Sequence, residues 1–173
     1  EHAIDLVKSK TMNIVLIGMP GCGKSAVAEA LGKALGREVL DTDAYIEEHT
    51  GYTPEQIITM QGESVFRTHE SEAVRELGSA FGAIVATGGG AVLRPENVAA
   101  VKETGLLIHL DTPFYRILKN LSYSNNRPLL DKPDKQAETR RLYNARKAIY
   151  HRVSDVSVRS PKLGEVLDKV VKS

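Results

Sequence analysis

The feature that most constrains this chain is the motif Gly-Met-Pro-Gly-Cys-Gly-Lys-Ser at positions 18–25. It satisfies the pattern G-x-x-x-x-G-K-[ST] and lies between a short apolar run at 12–17 and a segment whose apolar residues recur at helical spacing. In that context the glycines let successive backbone N–H groups surround phosphate oxygens at a helix N-terminus. The motif therefore predicts an α/β fold that binds a nucleotide through its phosphates.

Two side chains of this phosphate-binding loop have roles of their own. Lys24 supplies a cation for the β- and γ-phosphates, and Ser25 offers a hydroxyl to Mg²⁺. We interpret Cys22 as a small filler residue without a nucleophilic role. The predicted nucleotide contacts within and just after the motif are Gly21, Cys22, Gly23, Lys24, Ser25 and Ala26.

Short apolar runs alternate with amphipathic segments along the rest of the chain. Strands are predicted at 12–17, 38–41, 84–86, 106–110 and 156–158. Helices are predicted at 24–35 and near 42–49, 54–60, 63–80, 95–103, 113–120, 135–153 and 162–171. Because such alternation produces parallel strands with helices on both faces, we expect a three-layer α/β/α sandwich.

The composition fits one globular domain, since 42% of the 173 residues are hydrophobic and 26% are charged. We assign that domain to 12–173 and interpret 1–11 as a tail or a linker remnant. The 23 Lys and Arg residues nearly balance the 22 Asp and Glu residues, so a general nucleic-acid binder is not expected. No apolar run reaches the roughly 18 residues of a membrane helix. The lone cysteine, Cys22, favours a reducing compartment, and we expect a cytoplasmic protein.

The segment 122–133 interrupts the alternation with two asparagines, two prolines and little periodicity. A polar loop of this length is either an ordinary surface loop or a mobile lid over a binding site. The Arg-Pro pair at 127–128 favours the lid, which we assign to about 121–135.

Two carboxylates separated by one residue, Asp41 and Asp43, follow the second predicted strand. The carboxyl ends of parallel strands form the ligand crevice, so both side chains should open toward the phosphates. One carboxylate can then reach Mg²⁺ or its waters while the other addresses a substrate hydroxyl. Asp and Thr are also good helix N-caps, and a capping role for one of residues 41–43 leaves the others available for binding.

Three glycines, Gly88, Gly89 and Gly90, follow the third predicted strand directly. A plain turn is one explanation, but it needs only one or two glycines. A run of three favours the close approach of a ligand to the backbone and its N–H donors.

The phosphate-binding loop alone does not separate GTPases, kinases and motor ATPases. The Asn-Lys-x-Asp and Asp-x-x-Gly patterns expected of a GTPase are absent from the sequence. Small-molecule kinases remain the favoured class, and a module that binds a nucleotide without turnover is the alternative.

The motifs together resemble the shikimate kinase family in order and in spacing, from about residue 12 to the end of the chain. The resemblance rests on the phosphate-binding loop, Leu-Asp-Thr-Asp at 40–43, Phe-Arg at 66–67, Gly-Gly-Gly-Ala-Val at 88–92, Arg-Pro-Leu-Leu at 127–130, and the segment from Arg146 to Tyr150. It implies a fold like that of the nucleoside monophosphate kinases, with a five-stranded parallel sheet, a helical substrate region and a mobile lid.

The resemblance also implies an activity. The family transfers the γ-phosphoryl group of ATP to the 3-hydroxyl of shikimate, with Mg²⁺, on the route to chorismate and the aromatic amino acids. The catalytic residues would be Lys24, Asp43 and Arg127. Asp43 would hold the substrate hydroxyls and take the proton of the attacking one, and Arg127 in the lid would reach the transferring phosphate.

Further roles follow from the resemblance residue by residue. Arg67 and Arg146 would bind the shikimate carboxylate, and Gly89, with Gly88 and Gly90 on either side, would hydrogen-bond the substrate through its backbone. Ser25 and Asp41 would serve the metal. Arg127 and Arg159 would contact the nucleotide.

One position departs from the family pattern. Many members have an arginine about seven residues before the lid arginine, where it stacks on adenine, and this chain has Asn120 there. Arg159 would compensate only weakly. His69, His109 and His151 show no metal-ligand spacing, so we interpret them as structural or solvent-facing.

Two alternatives stay open beside a shikimate kinase: a related gluconate or nucleotide kinase, and the non-catalytic ATP-binding module. Asp43, Arg67 and Arg146 distinguish a shikimate kinase from both alternatives. A nucleotide substrate needs no pair of arginines for a carboxylate, and a non-catalytic module need not retain the acid. We expect a monomer whose partner is its small-molecule substrate, with fusion to another pathway enzyme in a longer polypeptide as the alternative.

Overall fold

The computed structural model describes residues 11–124 and 133–159, and five strands of that part form one sheet. The strands are β1 (Asn13–Ile17), β2 (Val39–Asp41), β3 (Ile84–Ala86), β4 (Gly105–Asp111) and β5 (Val156–Arg159). Their order in the sheet is β2-β3-β1-β4-β5, and every neighbouring pair is parallel. The predicted α/β fold with a five-stranded parallel sheet is confirmed.

Seven helices accompany these strands in the described residues. They are α1 (Lys24–Leu35), α2 (Thr42–Thr50), α3 (Pro54–Gln61), α4 (Glu63–Gly78), α5 (Pro95–Thr104), α6 (Phe114–Ser124) and α7 (Pro133–Val153). A short 3₁₀ turn, Ala91–Leu93, precedes α5 and was not predicted. None of the described helices has the length and apolar character needed to cross a membrane.

The core is built on the central strands of the sheet. Residues 14–17 of β1 are fully buried, as expected of a strand covered on both faces. Each buried aliphatic side chain of this kind contributes roughly 1.5–3 kcal/mol of transfer free energy. Leu16 of β1 and Asp41 of β2 are both in register with Ala86 of β3, so the three strands end within one residue of one another. The loops that follow them therefore meet at one edge of the sheet.

The predicted loop at 122–133 is wrong at both of its ends. α6 continues to Ser124, four residues beyond the predicted end of that helix, because Ile117, Leu118 and Leu121 extend its apolar stripe into the core. α7 begins at Pro133 instead of residue 135, since proline is well accommodated in a first helical turn. Residues 121–124 and 133–135 are thus helical. The rest of the predicted lid, with Arg127, and the predicted helix at 162–171 lie outside the described residues.

Candidate active site

The loops after β1, β2 and β3 meet around a cavity of about 610 Å³. Its lining includes most of the predicted nucleotide and metal residues: Gly21, Gly23, Lys24, Ser25, Ala26 and Asp41. A second cavity of about 130 Å³ is lined by the predicted substrate residues Arg67, Gly90 and Arg146. Asp43, Gly88 and Gly89 line both cavities. The structure thus brings the residues predicted for the two ligands to one junction.

The phosphate-binding loop is shaped by glycines with positive φ. Gly21 and Gly23 have φ values of 83° and 97°, which other residues rarely adopt. Gly23 caps α1 without a side-chain hydrogen bond, and the first turn of α1 contains no acidic residue. The N–H groups of residues 24–26 have no partner within the helix. This uncapped helix N-terminus, with its partial positive charge, suits phosphate oxygens.

Lys24 holds the phosphate-binding loop from the inside. Its ammonium donates hydrogen bonds to the carbonyl oxygens of Gly18 and Met19, at 2.6 and 3.0 Å. A phosphate oxygen would compete for the same ammonium, and a bond between two charged groups is stronger than one to a neutral carbonyl. The Lys24 ammonium can therefore exchange its hydrogen bonds to the loop carbonyls for bonds to the phosphates of a bound nucleotide.

The outer side of this loop is held by neighbouring elements. The Thr112 hydroxyl donates to the Cys22 carbonyl at 2.9 Å, and the side-chain amide of Asn120 on α6 donates to the Gly21 carbonyl at 2.8 Å. Cys22 is itself buried, and its sulfur lies so close to Gly18 that a Cβ there would be 2.8 Å from it. The contacts of Cys22 are those of a filler residue, and Asn120 braces the loop.

The polar residues at the end of β2 and the start of α2 include some with structural roles and one that is available to the site. Asp41 is the N-cap of α2, because its Oδ1 accepts the backbone N–H groups of Asp43 and Ala44 at 2.8 and 3.1 Å. The buried Thr42 hydroxyl accepts the Gly88 N–H at 2.9 Å. The predicted capping role is confirmed for Asp41. The contact from Thr42 ties this segment to the glycine turn, so the Gly88 N–H is already engaged.

Asp43 is the acid that both cavities share. Burial, together with the nearby charges of Asp41 and Glu70, raises the pKa of Asp43 to about 6 against the opposing charge of Lys24. Its Oδ1 is buried and has no hydrogen-bond partner among the described residues. A carboxylate that titrates near neutral pH and has an unpartnered oxygen is suited to accept a proton from a substrate hydroxyl.

The described residues contain no cluster of three or more His, Cys, Asp and Glu side chains that could hold a metal ion. Mg²⁺ in a nucleotide site does not require one, because phosphates and waters supply most of its ligands. Ser25 in the first turn of α1 and Asp41 at the end of β2 both line the large cavity, and one oxygen of Asp41 is used in capping. These two side chains fit a nucleotide-bound Mg²⁺ better than a metal held by protein alone.

The small cavity contains two arginines from separate helices. Arg67 on α4 is paired with Glu70 at 2.7 Å and with Glu63 at 3.2 Å. Glu70 is 1% exposed, and its second oxygen, Oε2, has no partner among the described residues. Arg146 reaches the same cavity from α7. Two guanidinium groups arranged in this way can bind one carboxylate through several charge-assisted hydrogen bonds.

The glycine turn after β3 is crowded by these charged groups. A Cβ on Gly88 would lie 2.9 Å from Glu70 Oε2 and 3.0 Å from Asp43 Oδ1. A Cβ on Gly90 would overlap the guanidinium of Arg67. A side chain at Gly88 or Gly90 would therefore displace site residues that pack directly on the backbone. The predicted backbone contacts to substrate stay a prediction.

Sequence reasoning missed three residues of the site. Glu70 orients Arg67, and its i,i+3 spacing on a predicted helix was a signal for that ion pair. Glu55 and Tyr123 also line the large cavity. No local pattern marks either of them, because the fold alone brings α3 and α6 to the cavity.

One described residue predicted for the site, Arg159, is not brought to it. Arg127 lies outside the described residues, and Arg159, the last residue of β5, lines neither of the two cavities. Their roles stay predictions. His109 is buried, and burial lowers the pKa of His109 to about 4, so the ring is neutral. His151 is exposed, and its Nε2 lies 3.5 Å from the Asp111 carboxylate.

A phosphate-binding loop on a parallel sheet, joined at a shared acid to a cavity with paired arginines, defines a kinase of small acidic molecules. The family model described as shikimate kinase matches residues 20–173. With this match the chain belongs to the shikimate kinase family, and the predicted resemblance is confirmed.

Individual relatives agree with the family model. The shikimate kinase of Pelotomaculum thermopropionicum is 43% identical over 138 residues, which is 80% of each chain. That of Geobacter sulfurreducens is 38% identical over 165 residues, covering 95% of this chain and 90% of the relative. The structure of the Acinetobacter baumannii shikimate kinase in complex with shikimate is similar, with a TM-score of 0.84, 33% identity, and coverage of 94% of this chain and 95% of that one.

Proposed function

We propose that this protein transfers the γ-phosphoryl group of ATP to the 3-hydroxyl of shikimate. The observation that carries the proposal is the position of Asp43, a buried acid between the phosphate-binding loop and the two arginines. A substrate with a carboxylate at one end and hydroxyls at the other would fit this order of groups. Its carboxylate would lie against Arg67 and Arg146, and its hydroxyls would lie near Asp43.

The chemistry needs positioning and charge stabilisation more than covalent participation by the protein. A bond forms between the substrate hydroxyl oxygen and the γ-phosphorus, the bond to the bridging oxygen of ADP breaks, and the hydroxyl proton passes to Asp43. Lys24 and the N–H groups of residues 24–26 stabilise charge on the phosphates. Mg²⁺, held by Ser25 and the free oxygen of Asp41, would neutralise phosphate charge when the nucleotide is bound.

The remaining contacts are also proposed. Arg127 would reach the transferring phosphate from the lid when that segment closes, and Arg159 would approach the nucleotide. Gly89 and Gly90 would donate backbone N–H groups to the substrate, since the Gly88 N–H is taken by Thr42.

A coupled assay of ADP release tests the activity directly. Shikimate should support turnover that gluconate and nucleoside monophosphates do not support at equal concentration. Turnover with gluconate or a nucleoside monophosphate alone would assign the protein to another substrate. ATP binding without turnover on any of them would identify a non-catalytic module.

We also propose that the protein acts as a monomer in the cytoplasm. The lone cysteine, which favours a reducing compartment, supports the cytoplasmic location. Light scattering should give the mass of one chain, 18.9 kDa. A dimer mass would reject the monomer, and cell fractionation tests the compartment.

A further inference from the structure

A buried tyrosine joins the two walls of the small cavity. Tyr150 on α7 is 1% exposed, and its hydroxyl donates a hydrogen bond to the carbonyl oxygen of Gly89, 61 residues away in the chain. Its ring stacks on that of His109 with centroids 5.2 Å apart. The tyrosine ring is therefore fixed by packing, and its hydroxyl reaches the glycine turn.

The hydrogen bond acts on a peptide unit that faces the predicted substrate. The Gly89 carbonyl and the Gly90 N–H belong to one planar peptide, so fixing the carbonyl also fixes the direction of that N–H. Arg67 packs directly against Gly90. Without Tyr150 the glycine turn would have more conformational freedom, because glycine has no Cβ to restrict its backbone.

The other wall of the cavity is connected to the same hydroxyl. Arg146 precedes Tyr150 by one helical turn on α7, and its guanidinium lies beside the Tyr150 hydroxyl. The backbone donor at Gly90 and the guanidinium of Arg146 are thus set relative to each other through one side chain. We assign Arg146 to the substrate carboxylate and the Gly90 N–H to the backbone donors of the same substrate site.

We propose that Tyr150 is a positioning residue, which fixes the Gly89–Gly90 peptide relative to Arg146 and thereby shapes the site for the substrate carboxylate. The inference rests on the proposed function, because it concerns the site of the same substrate. Tyr150 does not need to touch the substrate itself.

The ionisation of Tyr150 is consistent with this role. Burial raises the pKa of Tyr150 to about 12 and outweighs the opposing effect of the neighbouring Arg146 charge. The hydroxyl therefore keeps its proton at neutral pH and stays a donor to Gly89.

The test is Tyr150→Phe, which removes the hydroxyl and keeps the ring against His109. Tyr143→Phe is the matched control, because Tyr143 lies two turns earlier on the same helix with its ring 5.6 Å from that of Phe114. Calorimetric titrations with shikimate and, separately, with ATP should be made for the wild type and both variants. Thermal unfolding of each variant gives the accompanying change in stability.

We expect Tyr150→Phe to raise the Kd for shikimate about five- to tenfold, the range that loss of one buried hydrogen bond produces. The Kd for ATP should change less than about twofold, and Tyr143→Phe should leave both constants within that margin.

A lower Tm with unchanged shikimate affinity would show that Tyr150 is only structural. Equal losses for both ligands would also overturn the proposal. A wild type that binds ATP but not shikimate would reject the proposed function together with this inference, whereas unchanged affinities in a shikimate-binding protein reject the inference alone.

Discussion

The two cavities of the active site are built in different ways. We call the large cavity the nucleotide end and the small cavity the substrate end. The predicted phosphate contacts of the nucleotide end lie on one continuous segment, 20–26, which includes the uncapped start of α1. The substrate end is assembled from Asp43 on α2, Arg67 on α4, the glycine turn after β3 and Arg146 on α7. The first end is determined by local geometry, so a motif can predict it. The second exists only when the sheet has brought four distant segments together.

The two ends also differ in how well their polar groups are satisfied. At the nucleotide end Lys24 is bonded to two carbonyls of its own loop. At the substrate end Asp43 Oδ1 and Glu70 Oε2 are buried and lack hydrogen-bond partners among the described residues. Buried acceptors without donors cost free energy in the folded protein. A substrate that carries hydroxyl groups would supply those donors, which makes this end the more sensitive to its ligand.

The largest expected effect tests the nucleotide end. Lys24→Ala should lower kcat about 10⁴-fold or more, because loss of one neutral donor costs about 10²- to 10³-fold and a charged donor is stronger. The fold should stay intact, since the hydrogen bonds of this side chain among the described residues are made to its own loop. Steady-state kinetics with circular dichroism measures both.

The control for this prediction is Lys33→Ala on the same helix, where an exposed lysine pairs with Glu29. It should leave kcat within about twofold, as expected of a surface ion pair. Wild-type turnover in Lys24→Ala would contradict the assignment of the phosphate-binding loop.

The second effect tests the junction between the two ends. Asp43→Asn keeps the shape of the side chain and removes the anionic acceptor, so kcat should fall about 10²- to 10⁴-fold. Single-turnover measurements with saturating shikimate separate this loss from weaker binding. If kcat were maintained and only the KM for shikimate rose, Asp43 would be a binding residue and not the base.

The third effect tests the substrate end. Arg67→Lys and Arg146→Lys each keep a charge but lose the forked geometry, so shikimate binding should weaken by about 1.5–3 kcal/mol, the worth of a bond to a charged group. ATP affinity should stay nearly unchanged, and calorimetry measures both ligands. Equal losses for ATP would show that the two ends are not separate.

Substitution of the two arginines should have different effects on the stability of the protein. Arg67 neutralises the buried Glu70, whereas the structure shows no ion pair for Arg146 among the described residues. Arg67→Lys should therefore lower Tm more than Arg146→Lys does, because it loosens the partner of a buried carboxylate.

The same contrast explains what the sequence could predict. The five strands, the helix after the loop and a helix cap within residues 41–43 follow from local pattern, and the structure confirms them, with Asp41 as the cap. The pairing of Arg67 and Arg146 came from the family resemblance, because nothing in their spacing brings two helices to one cavity. The bond from Tyr150 to Gly89 spans 61 residues and depends on how α7 packs, so local pattern could not reveal it.

The smallest effect concerns the pH dependence of the junction. Burial, with the charges of Asp41 and Glu70, raises the pKa of Asp43 to about 6 against the opposing charge of Lys24. Only the ionised form accepts a proton, so kcat/KM for shikimate should fall about tenfold per pH unit below pH 6. Glu55→Gln removes the weakest of the neighbouring charges and should move this limb only slightly toward lower pH. A profile that is flat down to pH 5 would contradict the base role.

Stability should depend on pH in the opposite sense. Because the pKa of Asp43 is raised from 3.8 to about 6 on folding, the folded state holds this proton more tightly than the unfolded state does. Its carboxyl therefore costs stability as pH rises from about 4 to about 6, by at most about 3 kcal/mol for a shift of about two units. Asp43→Asn has no such proton, so it should be more stable than the wild type at pH 7, with the difference shrinking toward pH 4. Urea unfolding of both proteins across this range measures the difference in their free energies of unfolding. A difference that does not change with pH would show that the ionised Asp43 does not destabilise the folded state.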